Sequence, residues 1–299
     1  MIDSVIRMST FMEALPVVPL LGDSSESVPE IVIEPRSGWA ALDLLEIWRH
    51  RELAYFLAWR DVKVRYKQTV LGAVWAVLQP LMTMLVFTIF FGRLGRMEQQ
   101  TTVPYPVFVY VSLLPWQFFS FCVSQCSQSL ISSANLISKV YFPRLLVPLA
   151  TVGVGIVDFC VASLLLIGLM LWYHIAPTLS LALLPLLLAG LLVASVGVGI
   201  LLSALTVSYR DLRFAVPFMV QLWMFASPVA YSIEIVPERW RLVYSLNPMA
   251  GLISGFRSSL LGEPLHWDCL GVSLCTGLVA CLAGMFYFRT VERRFADIV

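Results

Sequence analysis

The fold class this sequence predicts is all-α: a polytopic membrane protein with six transmembrane helices, an N-terminal amphipathic interface helix and an external re-entrant helix pair. Three observations predict it. Of the 299 residues, 59% are hydrophobic and 13% charged, against about 45–50% and about 25% in soluble domains. Mean hydropathy is +0.83. The apolar residues fall in runs of roughly the 17–25 residues a helix needs to cross a bilayer. This composition excludes an ordinary soluble enzyme, a disordered chain and a collagen-like chain. A net charge of +1 offers no basic face to nucleic acid. The six cysteines mostly sit in apolar runs and form no CxxC pair, and the three histidines are far apart. Neither a disulfide frame nor a metal site is expected.

Residues 1–45 differ in kind from the rest. They hold seven acidic residues, two arginines and prolines 16, 19, 29 and 35. The apolar patch Leu15–Leu21 is too short to span. It also lacks the basic flank and the small-residue cleavage site of a signal peptide. This stretch reads as a loosely ordered cytoplasmic tail.

Residues 46–70 form the next unit, with an amphipathic helix over 46–67. At 100° per residue, Trp48, Tyr55, Trp59, Val62 and Tyr66 share one stripe. Arg49, Arg60, Lys63 and Lys67 lie beside it, and Arg51 and Arg65 flank the other edge. An aromatic stripe bordered by cations suits a helix in the headgroup plane. The other reading is the first helix of a soluble subdomain, but membrane-like residues follow at once.

Residues 71–299 hold the six spans. They are Leu71–Phe91, Val107–Ile131, Leu145–Tyr173, Leu179–Val207, Phe214–Tyr231 and Cys269–Phe288. Pro80, Pro115, Pro185 and Pro217 interrupt them, which neighbouring helices can accommodate. Between the last two spans, Leu246–Gly262 is apolar but short. It starts at Asn247-Pro248 and carries Arg257, so a re-entrant pair of half-helices fits better than a seventh span. Small residues recur at intervals of four at Gly251, Gly255 and Ser259, and at Ser195, Gly199 and Ser203. Such rows let helix backbones approach closely.

Loop charges set the orientation. With the amphipathic helix inside, the inner segments carry 13 basic residues and the outer ones five. Both termini are therefore expected in the cytoplasm.

Chemistry has few places to sit. Asp158, in the third span, is the one clear charge inside a span. Two readings fit it: a functional intramembrane carboxylate, or a polar contact between helices. Ion-coupled transporters usually need several such groups. A membrane enzyme needs paired carboxylates, a metal cluster or a nucleophile with its base. Neither pattern is present. The phosphate loop GxxxxGK[ST] requires Lys after Gly, whereas Lys63, Lys67 and Lys139 follow Val, Tyr and Ser. ATP-driven transport would need a motor on another polypeptide. Two short polar loops face inward, Ser132–Arg144 and Ser208–Phe214. They read either as plain connectors or as short helices across the membrane face.

Several segments resemble the permease subunits of bacterial polysaccharide ABC exporters, within the type-2 exporter superfamily that includes O-antigen and teichoic acid transporters. They are RDVKVRYKQTVLGAVWAVLQP (Arg60–Pro80), LLPWQFF (Leu113–Phe119), NLISKVYFPRLLVP (Asn135–Pro148), YRDL (Tyr209–Leu212), VPERWRLVYSLNP (Val236–Pro248) and RRFADI (Arg293–Ile298). They keep the family's order from about Glu46 onward. The resemblance implies a homodimer resting on two copies of an ABC ATP-binding subunit, with ATP and Mg on that partner and no cofactor on this chain. It implies an interface helix bearing Trp48, Trp59, Arg60, Lys63, Tyr66 and Lys67. It implies ATPase-coupling loops bearing Asn135, Lys139 and Arg144, then Tyr209, Arg210 and Asp211. The substrate it implies is a polyprenyl-diphosphate-linked polysaccharide crossing the inner membrane. Aromatic rings hold sugar C–H faces weakly, which makes Phe108, Tyr110, Trp116, Phe118, Phe119 and Trp223 channel-lining candidates. A drug or lipid exporter of the same superfamily is the alternative, and an enzyme acting on polyprenyl-linked sugars a more distant one.

Overall fold

A computed structural model describes residues 48–67, 72–101, 103–140, 142–176 and 179–292. The predicted tail 1–45 and the Arg293–Ile298 motif lie outside these residues. Among the described residues every regular element is helical. In order they are α1 (Arg51–Lys67), α2 (Gly72–Phe87, continued by a π-helical turn over Thr88–Leu94), α3 (Tyr105–Ser132), α4 (Ala134–Ile137), α5 (Leu146–Trp172), α6 (Leu184–Ser208), α7 (Leu212–Phe225), α8 (Glu238–Tyr244), α9 (Pro248–Leu261) and α10 (Trp267–Glu292).

Five segments are long and apolar enough to cross a membrane: 77–94, 105–132, 146–172, 180–208 and 267–292. These match five of the expected spans. The fifth expected span, Phe214–Tyr231, is shorter as a helix than its apolar run suggests, since α7 has 14 residues and stops at Phe225. Ser227, Val229 and Ala230 then continue as buried, non-helical backbone.

Arg257 on α9 explains how that backbone survives burial. The residue is 1% exposed. Nε donates to Ser112 Oγ at 2.6 Å, one terminal nitrogen to the Tyr231 carbonyl at 2.9 Å, and the other to the carbonyls of Val229, at 3.1 Å, and Pro228. The group lies 3.9 Å from the centre of the Phe108 ring. Irregular backbone is tolerated at membrane depth only where protein satisfies its polar groups, and here one fork-shaped donor satisfies three carbonyls.

The central helix is α3, buried along most of its length. It packs against α2, α5, α6, α7 and α9. Its start is set by Pro104 and Pro106, which supply the fixed φ favoured in a first turn. The start of α9 is capped by the Asn247 side chain, which accepts the Met249 N–H at 3.0 Å. Its end falls at Gly262, whose φ of 74° is left-handed.

Close packing of α6 on α10 depends on two glycines. A Cβ on Gly197 would lie 2.5 Å from the Cys281 backbone, and one on Gly284 would lie 2.6 Å from the Gly197 carbonyl oxygen. The rows seen in sequence serve other contacts. Gly199 faces Cys126 of α3, and Gly251 faces the Cys269 carbonyl of α10. A Gly197→Ala substitution should therefore force α6 and α10 apart, at about the 1–3 kcal/mol typical of overpacking. Gly168→Ala, with no atom within 4 Å of its added Cβ, should be neutral or stabilising by up to about 1 kcal/mol. Thermal unfolding midpoints of the two variants in one detergent check both.

Candidate functional site

Asp158 sits mid-way along α5, where a bare carboxylate is costly. Both of its described partners come from α1. Arg65 pairs with Oδ2 at 2.8 Å, and the Tyr66 hydroxyl donates to Oδ1. Burial pushes the Tyr66 hydroxyl well above its ordinary pKa, and the hydrogen bond to Asp158 adds to this. Arg65 also lies over the Phe121 ring of α3, 4.7 Å from its centre. Of the two readings the sequence left open for Asp158, the structure shows the contact between helices.

That contact fixes how α1 lies. Ala58 meets α5 at Gly153, where an added Cβ would stand 2.8 Å from the Ala58 Cβ. Seven residues further on, α1 meets Asp158. The helix thus follows α5 in the same direction, with Leu57 as its buried residue. Trp48, Tyr55 and Trp59 are exposed. Lys63 lies 5.3 Å from the centre of the Trp59 ring, and Arg60 pairs with Asp61 at 2.9 Å. Lys67 is exposed and Tyr66 half-buried.

The two short polar loops differ in how they are engaged. Asn135 lies on the short helix α4, exposed, with Lys139 exposed just beyond it. Arg144 is half-buried and engaged within the chain. Its backbone N–H donates to the Glu292 carboxylate and its guanidinium to the Glu292 carbonyl, while Arg289 pairs with the same carboxylate at 3.0 Å. The far end of the first loop is therefore tied to the end of α10. In the second loop, Tyr209, Arg210 and Asp211 are all exposed between α6 and α7.

The six ring candidates are placed in the chain's own packing. Phe108, Tyr110, Trp116, Phe118 and Phe119 are all buried on α3. The Tyr110 hydroxyl donates to the Ala162 carbonyl at 2.9 Å. Phe118 packs edge-on to Phe159, and Phe119 edge-on to Trp223. The indole N–H of Trp223 donates to Asn247 at 3.0 Å, joining α7 to α9. Within the single chain the five rings on α3 are buried and Trp223 is half-buried. The N-terminal half of α3 is apolar all round, so its sequence marks no preferred face for the rings. Exposed rings occur instead on α7, where Phe214, Phe218 and Phe225 fall on one stripe with Leu222. The alternation that marks it is visible in sequence, since these residues recur at spacings of four, four and three.

Among the described residues no cluster of three or more His, Cys, Asp or Glu stands ready for a metal. Two clefts open beside Arg65, the smaller of them also lined by Asp158. One, of about 450 Å³, is bounded by α1, the C-terminal half of α3 and the start of α5. The other, of about 170 Å³, continues along α3 past Arg65 to Gln79 of α2.

These features agree with what the chain is similar to. The "O-antigen export system permease protein RfbA" of Myxococcus xanthus is 30% identical over 257 residues, covering 85% of this chain and 98% of the relative. A protein of the same name from Klebsiella pneumoniae is 29% identical over 242 residues, covering 80% and 92%. The "Polysialic acid transport protein KpsM" of Escherichia coli is 24% identical over 244 residues, covering 78% and 91%. The family described as ABC-2 type transporter matches residues 52–261, from α1 to the end of α9, and with that match over most of its length the chain belongs to the ABC-2 type transporter family.

Proposed function

We propose that this chain is the membrane-spanning permease subunit of an ATP-driven exporter of lipid-linked polysaccharide in the bacterial inner membrane. The carrying observation is similarity over nearly the full length of relatives named for O-antigen export, on a chain whose sequence has no phosphate loop. It is a transport subunit and not an enzyme. ATP and Mg belong to a separate ATP-binding subunit, two copies of which serve a permease homodimer.

The six-span reading rests on α7 together with the buried turn that follows it. A 14-residue helix rises about 21 Å, short of a hydrocarbon core of about 30 Å. The turn held by Arg257 supplies the rest of the crossing. The pair α8 and α9 then forms the external re-entrant element, and 13 basic residues against five support both termini inside.

Docking falls to Asn135 and Lys139 on one loop and to Tyr209, Arg210 and Asp211 on the other. Charge pairs at such an interface set register, and a buried pair broken on one side costs about 2–5 kcal/mol. Lys139→Glu or Arg210→Glu should weaken co-purification of the ATPase tenfold or more, in line with that cost, and stop export while the protein still inserts. Arg239→Glu on the opposite side should leave association unchanged. Normal association and export in both loop variants would make the loops plain connectors.

The exposed stripe on α7 is the aromatic surface for the moving glycan. Ring contacts are worth about 0.5–1.5 kcal/mol each. Replacing Phe214, Phe218 and Phe225 together by Ala should cut polymer export about tenfold, with ATPase association intact. Phe119→Ala should instead lower stability by about 3–5 kcal/mol, as for any buried ring. Surface glycan per unit of membrane-inserted protein separates the two effects. Undiminished export by the triple variant would assign the stripe to lipid or to packing.

A further inference from the structure

The inner half of α3 carries a row of polar side chains that its packing does not use. Gln117, Ser120, Ser124, Gln125, Gln128 and Ser132 fall within about 140° of one another on the helix and extend over about 22 Å. Five of them, Ser132 excepted, have no side-chain hydrogen-bond partner among the described residues. Gln125 and Gln128 are exposed, into the larger cleft. Gln117, Ser120 and Ser124 line the smaller one. Arg65 and Phe121 border both, so the two clefts form one slot along α3. In a chain that is 59% hydrophobic, amides and hydroxyls gathered on one face of a crossing helix mark a functional path.

The charge balance of the slot selects its ligand. Its lining holds Arg60, Asp61, Arg65 and Asp158, which cancel as two ion pairs at 2.9 Å and 2.8 Å. A site built for diphosphate would carry surplus cations in fork-like pairs. What remains is neutral amide and hydroxyl, both donor and acceptor. That set matches a ligand of many neutral hydroxyls. The larger cleft alone, at about 450 Å³, falls within the roughly 300–1,000 Å³ of small-molecule sites. We propose that this slot between α1, α3 and α5 binds the neutral sugar units next to the lipid of the exported glycan, with Gln125 and Gln128 as the main recognising groups. This rests on the polysaccharide-export reading above and adds the place and chemistry of sugar recognition.

The test uses the permease with its ATPase in lipid nanodiscs. The probe is undecaprenyl-diphosphate-linked N-acetylglucosamine carrying a diazirine on the sugar, and labelled peptides are mapped by mass spectrometry. Labelling should concentrate on residues 117–132. Undecaprenyl diphosphate without sugar should fail to compete, whereas the unlabelled glycolipid should compete fully. The double variant Gln125→Leu/Gln128→Leu should lose labelling at least fivefold and keep its ATPase. Gln125→Asn/Gln128→Asn, which preserves both amides, should recover much of it. Labelling that maps elsewhere, such as the α7 stripe, or that is unchanged in the leucine variant, overturns the slot while leaving the export reading in place. So does loss of the ATPase in the leucine variant with labelling intact, which would make the cleft an ATPase seat. No labelling of the wild-type complex anywhere overturns the export reading, and the slot with it.

Discussion

Everything else in this molecule is arranged around the burial of α3. Lipid is as apolar as a leucine side chain, so helix association in a bilayer gains little from the hydrophobic effect and depends on contact and hydrogen bonding. A helix buried along most of its length can then be enclosed only if its neighbours approach closely. The glycines allow this. Gly199 lets α6 reach Cys126 of α3, and Gly197 with Gly284 lets α10 close on the back of α6. A layer of bulkier residues at those points would separate the helices and leave the rings of α3 without partners.

Polar groups follow the same logic from the other side. The two charges placed deepest, Asp158 and Arg257, are both given complete surroundings, but of opposite kinds. Asp158 meets a cation and a hydroxyl from α1, with the Arg65 side chain 39% exposed. Arg257 meets only carbonyls, a serine hydroxyl and a ring, and is sealed. A carboxylate without Arg65 would be left bare in an apolar helix. Without Arg257, three carbonyls of the turn after α7 would lose their donor, each at about 1–3 kcal/mol.

How legible these features were in the sequence follows from what each depends on. Five of the spans could be read because crossing a bilayer needs only length and composition. Asn247-Pro248 marked the start of α9 because capping is local chemistry. The early end of α7 had one local mark, Ser227-Pro228 just past it, but Arg257, which stabilises the turn, lies 26 residues beyond Tyr231 in the chain. The same distance problem hid the partners of Asp158, which are 92 and 93 residues away. The ring candidates on α3 are packed within the single chain, because aromatic content says nothing about which way a helix faces. The stripe on α7 and the polar row on α3 were visible as spacings, yet their significance depends on which faces the neighbours leave uncovered.

The contrast between the two charged centres bears on how such a subunit can move. Rearranging Arg257 would strip donors from several carbonyls at once with no water to replace them, so α3, α9 and the turn after α7 behave as one block. The Asp158 pair is partly exposed and borders a cleft, where solvent can take over each partner as it separates. Asp158 itself is only 18% exposed, so the pair holds α1 to α5 more firmly than a surface ion pair would. Helix α1 lies on the side of the molecule where Lys139 and Arg210 are presented, and it forms one wall of the slot along α3. A displacement of α1 about Asp158 would therefore change the width of the slot without disturbing the block. Among the described residues, the Arg65–Asp158 ion pair therefore joins α1 to α5 at a partly exposed position beside the slot.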